Sequence, residues 1–227
     1  AVTDYNIVKT MPKDEAQKAG LYETIGAAID DSYIEELKTQ VRHPEIIKEV
    51  QKDITIVYTP LHGTGNIPAR RVLKELGFEN VFVVPEQELP DGEFPTVSYP
   101  NPEAEEAFAL ALKLAKEKDA DLVLATDPDA DRLGVYVKDT KSGEYITLTG
   151  NMSGCLLAEY EISQIKELKG LPADGALIKT IVTTNMADAI AKYYNVKLIE
   201  VLTGFKYIGQ QILGFEQKKE GTYLFGF

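Results

Sequence analysis

Apolar and polar positions alternate through Asp53-Ile-Thr-Ile-Val-Tyr58, a β-branched run that predicts a strand. Thr59-Pro-Leu-His62-Gly63-Thr64-Gly65-Asn66 breaks the alternation, and a helical period begins near Ile67. Ala69, Val72, Leu73 and Leu76 then line one apolar face, which Gly77 ends. The pair recurs. Val81-Phe-Val-Val84 predicts a strand, and a helix from Pro102 carries Phe108, Ala111, Leu112 and Ala115 on one face. Ala120 to Ala125 predicts the next strand. Between them, residues 85–102 hold five prolines and Asp91-Gly92, which predicts an irregular loop. Strand, helix, strand, helix, strand implies mostly parallel pairing, with functional loops at the carboxyl ends of strands.

The flanks fill in around this unit. Ala1 to Leu21 has no clear period, although Tyr5-Asn-Ile-Val8 reads as an edge strand. Asp30 to Lys38 predicts a helix with acidic residues at its start, where the helix dipole favours them, and Pro44 opens another through Val50. Leu133 to Val137 predicts a strand, and Tyr136 to Leu148 a hairpin around Asp139-Thr-Lys-Ser-Gly143. Thr149-Gly150-Asn151 opens a helix carrying Met152, Cys155, Leu156 and Tyr160. Strands are then expected at Ala176 to Val182, Val196 to Val201 and Thr222 to Phe225, with helices from Asn185 and after Thr203-Gly204-Phe205-Lys206. The expectation is an α/β chain of two tandem sandwich domains, 1–148 and 149–227. Each has a mostly parallel mixed sheet with helices on its faces.

Composition changes the picture in two places. A net charge of −12 over 227 residues argues against nucleic acid or an anionic membrane as partner, while leaving room for local phosphate sites. One cysteine, Cys155, cannot form an internal disulfide, which fits a reducing cytosol. With no apolar run of membrane length and no opening signal peptide, a cytoplasmic, soluble chain is expected.

The chemistry is concentrated in Ala125-Thr-Asp127-Pro-Asp129-Ala-Asp131-Arg132, between two strands. Three carboxylates at that spacing can converge on one point, where they repel unless a cation joins them or one protonates. Hard oxygen donors suit Mg²⁺ or Ca²⁺, with Mg²⁺ favoured where a substrate phosphate completes the shell. A calcium-binding helical hand would need Gly and Glu where Arg132 and Lys138 stand, and helices instead of strands. A solvated acidic turn does not account for three aspartates at period two ending in arginine. A phosphatase with an Asp-x-Asp nucleophile would ordinarily carry Thr or Val at Asp131. A metal site in phosphoryl chemistry is the better reading. The Thr59–Asn66 stretch joins a strand to a helix N-terminus, an anion-binding corner in some α/β proteins. His62 there reads as part of the turn.

These motifs together resemble the α-D-phosphohexomutases, the phosphoglucomutases and phosphomannomutases. Thr126-Asp-Pro-Asp-Ala-Asp-Arg132 resembles the family's metal-binding loop. Thr59-Pro-Leu-His-Gly-Thr-Gly65, Leu148-Thr-Gly-Asn151, Lys179-Thr180 and Leu202-Thr-Gly-Phe-Lys-Tyr-Ile-Gly209 resemble further family segments in the same order. The wording most resembles the bacterial α-phosphoglucomutase branch that also holds phosphopentomutases. The resemblance implies Asp127, Asp129 and Asp131 as Mg²⁺ ligands and Arg132 as a catalytic donor beside the transferring group. It implies Lys179, Thr203, Gly204 and Lys206 as contacts to a phosphosugar, and glucose 1,6-bisphosphate as activator and intermediate. Two bland alternatives stand beside it: Lys206 as a surface lysine, and Lys179 as a strand-end lysine leaving towards water.

Departures from the family pattern matter as much. The family's first domain carries a Ser-His-Asn-Pro-type loop whose serine holds the phosphate, yet no Ser-His or His-Asn pair occurs in this sequence. The third domain's Gly-Phe-Glu-Glu-Ser-type sugar loop is met only as Gly226-Phe227. The resemblance therefore implies domains two and three of a four-domain mutase, with domains one and four as partners within a longer chain. It implies an isolated fragment without turnover. A phosphomannomutase, a phosphopentomutase or a non-catalytic metal- or sugar-phosphate-binding module are the rival functions.

Overall fold

The computed structural model describes residues 3–227. The chain divides into two compact units, Ala1–Val41 and Arg42–Phe227. The first is helical, with a 3-10 turn at Tyr5–Ile7, α1 at Lys13–Lys18 and α2 at Gly26–Lys38. No strand forms at Tyr5 to Val8, because the Asp4 carboxylate accepts the Asn6 backbone N–H (2.9 Å) and turns the chain there. Helix α2 also starts a turn earlier than its acidic residues suggest. Asp30 and Asp31 lie inside it, not in its first turn.

The second unit opens with α3 (Pro44–Val50), as its proline at the first helical position predicts. Strand β1 (Thr55–Thr59) leads through the Thr59–Asn66 loop to α4 (Asn66–Glu75) and then to β2 (Asn80–Val83). The proline-rich loop ends in a 3-10 turn at Glu105–Phe108, and α5 (Ala109–Lys118) follows. The helix expected from Pro102 starts late because Asn101 Oδ1 accepts the Glu103 N–H (3.0 Å) and bends the chain first. Then come β3 (Leu122–Thr126), β4 (Leu133–Lys138) and β5 (Tyr145–Leu148). The sheet order is β2-β1-β3-β4-β5. Pairing is parallel across β2, β1 and β3 and antiparallel across β3, β4 and β5. The parallel half follows from the helical crossovers, and the antiparallel half from the short aspartate loop and the hairpin. Apolar residues of β1, β3 and α5 bury one another around Val57, Phe108 and Val123, with Phe108 tilted against Tyr136 at 4.6 Å between ring centres.

Helix α6 (Gly150–Lys169) begins at Thr149, whose side chain accepts the Met152 N–H. Beyond it lie β6 (Gly175–Thr180), α7 (Met186–Tyr194), β7 (Lys197–Val201), α8 (Phe205–Lys218) and β8 (Thr222–Gly226). These strands pair in the order β7-β6-β8, all parallel. Strand β6 is central and buried at every position, as a doubly covered parallel strand must be. None of the helices among the described residues is long and apolar enough to cross a membrane.

Polar contacts tie the start of α3 to α6. Arg42 Nε and Nη2 both reach Glu161 Oε2, at 2.8 and 2.7 Å. His43 lies between Glu45 Oε1 (2.7 Å) and Gln164 Oε1 (2.6 Å), two acceptors that ask for a proton on each ring nitrogen. The Gln164 bond and then the Glu45 bond raise its pKa above the ordinary histidine value. A raised folded-state pKa contributes stability that is fully present below about pH 6.5 and lost as pH rises through the folded value. The melting temperature of wild type relative to His43→Asn should therefore fall as pH rises from 6 through 8. A difference independent of pH would show that the ring acts by packing alone.

Candidate metal and phosphate site

Strand β3 delivers Asp127 to its carboxyl end, and β4 begins at Leu133, so only a short loop carries the remaining carboxylates. Asp127 is buried, whereas Asp129 and Asp131 are exposed. Asp127 organises the loop. Its Oδ1 accepts the backbone N–H groups of Asp131 (3.0 Å) and Arg132 (3.1 Å), and its Oδ2 accepts Arg132 Nε (2.7 Å). The Ala130 N–H closes the turn on the Asp127 carbonyl (3.0 Å), with Ala130 in the left-handed region at φ 58°. Carboxylate oxygens of Asp127, Asp129 and Asp131 come within 4.8 Å of one another.

The electrostatics follow from this crowding. Burial pushes the Asp127 carboxyl up, but donations from the Arg132 side chain and backbone outweigh it and hold the group below the usual carboxylate range. The hydrogen bond to Asp127 and its charge raise the Asp131 carboxyl, with Asp129 adding to the effect. Arg132 is one guanidinium against three carboxylates, so the loop keeps an excess of negative charge. Hard oxygen donors around one point with surplus charge fit a divalent cation of the Mg²⁺ kind. Asp129 makes no hydrogen bond or ion pair with a described residue.

Arg132 is half exposed, with 48 % of its side chain accessible. Its Nη1 donates to Asn101 Oδ1 (3.3 Å), so Asn101 joins the site from the proline-rich loop. Sequence reasoning missed Asn101, because nothing local links it to the aspartates. The Thr59–Asn66 loop is also part of the site. The Thr64 N–H donates to the Pro128 carbonyl at 2.8 Å, and Tyr58 Oη lies 2.8 Å from Thr126 Oγ1. His62 is buried, its ring nitrogens 3.2 Å from the Leu89 carbonyl and 2.9 Å from Thr96 Oγ1.

The other expected site residues fall into separate groups. Lys179 on β6 does not leave towards water. Its side chain is 1 % exposed, and its ammonium meets Asn185 Oδ1 (3.0 Å), Asp188 Oδ2 (3.3 Å) and Glu200 Oε2 (3.1 Å). Burial pushes its pKa down, but Glu200 and Asp188 outweigh that and raise it. Thr203 is exposed, and Gly204 stands before α8 at φ 119°. Lys206 is exposed, with Nζ 5.0 Å from the Tyr207 ring centre. No hydrogen bond or ion pair among the described residues links Lys179 or the Thr203–Lys206 turn to the aspartate loop. A cleft of about 810 Å³ lies against α4 and β2 around Arg70, Lys74 and Phe78, and shares no residue with that loop.

Fold and site together define an α/β protein with two successive sheets, the first carrying a loop of three carboxylates and an arginine at a strand's carboxyl end. Residues 31–143 match phosphoglucomutase/phosphomannomutase alpha/beta/alpha domain II, and residues 149–227 match alpha/beta/alpha domain III of the same family. The chain belongs to the phosphoglucomutase/phosphomannomutase family. A probable phosphomannomutase of Haemophilus influenzae is 39 % identical over 86 % of this chain and 39 % of its own length. A Staphylococcus epidermidis phosphoglucomutase is 40 % identical over 78 % of the chain and 31 % of its own length. A Saccharomyces cerevisiae phosphoribomutase is 37 % identical, covering 86 % of the chain and 32 % of that protein. The chain thus spans 31 to 39 % of the length of these relatives. Among solved structures, a putative phosphomannomutase from Thermus thermophilus superposes with a TM-score of 0.62 at 21 % identity, over 86 % of this chain and 41 % of that one. An Aspergillus fumigatus N-acetylphosphoglucosamine mutase, solved with GlcNAc-6P and magnesium, shares the fold at a TM-score of 0.51 and 15 % identity, over 81 % of this chain and 38 % of its own.

Proposed function

We propose that this chain is the central part of a Mg²⁺-dependent phosphoglucomutase that interconverts glucose 1-phosphate and glucose 6-phosphate. Residues 1–148 and 149–227 would be its second and third domains. The phosphoserine donor would stand on the first domain, and glucose 1,6-bisphosphate would be intermediate and activator. The observation that carries the reading is the convergence of Asp127, Asp129 and Asp131 within 4.8 Å, beside Arg132. Those three aspartates would hold Mg²⁺, which when bound neutralises and polarises a phosphoryl oxygen.

The chain's own residues do the positioning that phosphoryl transfer needs. Asp127 fixes Arg132 through Nε, and Asn101 holds Nη1. The guanidinium is 48 % exposed, which leaves it open to a phosphoryl oxygen. Thr203 and Gly204, at the start of α8, would take up the sugar or its phosphate, with Lys206 and Lys179 as the cations on that side. The site works in the cytosol, where phosphosugars are made and used.

Relatives named for mannose and ribose phosphates support a second reading with the same chemistry and a different sugar. A coupled assay on the longest natural polypeptide containing this sequence decides between them. Glucose 1-phosphate, mannose 1-phosphate and ribose 1-phosphate are each offered with Mg²⁺ and a bisphosphate primer. Preference for glucose 1-phosphate is expected, and preference for another sugar would rename the enzyme. The 227-residue chain alone, lacking a Ser-His pair, is expected to show no turnover. Turnover by it would mean that the nucleophile lies within these residues. No turnover by the long form on any sugar would leave a metal-binding module.

A further inference from the structure

Three mutually repelling carboxylates on a short loop, two of them exposed, need something to hold their backbone in place. Asp127 secures one side of the turn through its own bonds. The other side rests on the Thr59–Gly65 loop, and the fit there is close. A Cβ built on Gly63 would stand 2.4 Å from Pro128 Cα, 2.5 Å from its carbonyl oxygen and 2.8 Å from its carbonyl carbon. Those are backbone atoms of the aspartate loop, with no flexible side chain to move aside. Next in sequence, Thr64 gives the same Pro128 carbonyl two donors, its N–H at 2.8 Å and its Oγ1 at 3.1 Å. A Cβ on Gly65 would stand 2.6 Å from both Thr126 Oγ1 and Tyr58 Oη.

The supporting loop is itself over-determined. Leu61 and His62 are consecutive non-glycine residues in the left-handed region, at φ 47° and 60°. That conformation persists only where surroundings enforce it. Thr59 Oγ1 donates to Gln87 Oε1 (2.7 Å) and accepts the Leu61 N–H (3.1 Å). The His62 N–H donates to the Gln87 carbonyl (3.0 Å), and its ring is held by Leu89 and Thr96. A rigid, buried polar network thus backs a surface on which the peptide of Pro128 is seated.

We propose that Gly63 and Thr64 are positioning residues for the aspartate loop: by seating Pro128, they set the distance between the Asp127 and Asp129 carboxylates and so the affinity for a divalent cation. The proposal rests on the reading of those aspartates as metal ligands. Substitutions that displace supporting groups of this kind typically weaken a metal site by 10- to 100-fold.

The test is Mn²⁺ binding to the 227-residue chain, followed by electron paramagnetic resonance well below the melting temperature. Wild type is compared with Asp129→Asn, Gly63→Ala, Thr64→Val, Thr64→Ser and the core variant Val123→Ala. Gly63→Ala should bind at least about tenfold more weakly. Thr64→Val should lose roughly threefold, and Thr64→Ser should recover it. Val123→Ala opens the core behind β1 and β3, lowers the melting temperature while leaving the Pro128 contacts in place, and should bind like wild type, which separates seating from general loss of stability. Wild-type affinity in Gly63→Ala and Thr64→Val overturns the proposal while Asp129→Asn, if impaired, keeps the metal reading. Equal binding by wild type and Asp129→Asn overturns both. Should Gly63→Ala not fold, the Thr64→Val and Thr64→Ser pair decides: impairment with rescue supports the proposal, and indifference sinks it.

Discussion

Asp129→Asn is expected to weaken divalent-metal binding at least tenfold and to cut mutase turnover of the full-length enzyme by two to three orders of magnitude, while leaving the fold intact. The expectation comes from the unequal work done by the three aspartates. Asp127 is a structural cap as well as a ligand candidate, with both oxygens already accepting N–H groups, so its loss would disturb Arg132 and the turn together. Asp129 has no such duty. Removing its charge relieves repulsion with Asp131 and Asp127, so the metal-free melting temperature should stay level or rise slightly. The pairing of outcomes is the point. Lost affinity together with lost stability would mean that Asp129 shapes the loop, and unchanged affinity would remove the metal from the aspartates altogether. Titration calorimetry with Mg²⁺ and a thermal melt on the same preparations measure both.

Local chemistry made most of this structure legible. The strand at Thr55–Thr59, the helix at Pro44–Val50 and the hairpin around Asp139–Gly143 are each written in a few adjacent residues, and each forms. The aspartate loop was legible for the same reason, since its ligand candidates, its turn and its arginine are neighbours in sequence. What was not legible is what arrives from far away. Asn101 reaches Arg132 from the proline-rich loop, and Gly63 meets Pro128 from another strand's end. Glycine's role at a close approach shows only when the approaching chain is present. His62 read as part of a turn, and it is one, yet the ring also pins a loop ending near Thr96. The parallel pairing implied by helical crossovers forms across β2, β1 and β3, and the hairpin expected at Tyr136 to Leu148 forms as the antiparallel β4–β5 pair, while the aspartate loop, too short for a crossover, makes β3 and β4 antiparallel as well.

Lys179 is where sequence said least and where a large stability effect is expected. The double variant Asp188→Asn with Glu200→Gln should cost about 3–5 kcal/mol, and Lys179→Met should cost clearly less. The asymmetry lies in who is buried. The ammonium is 1 % exposed, whereas the Asp188 and Glu200 side chains are 55 % and 52 % exposed. Neutralising the carboxylates strands a charge in the interior with Asn185 and two neutral amide-type partners. Removing the ammonium instead leaves two carboxylates that can turn to water, and methionine fills much of the vacated space. Urea unfolding of the three proteins measures the order. The same variants bear on the site, because Lys179 fastens central strand β6 to the start of α7 and to Glu200 of β7, the strand that leads into Thr203 and Gly204. If Lys179→Met lowers turnover with little loss of stability and a raised KM, the ammonium touches the phosphosugar. If stability falls further than in the double variant, its place is structural, and substrate binding on this side falls to the turn at Thr203 and Gly204.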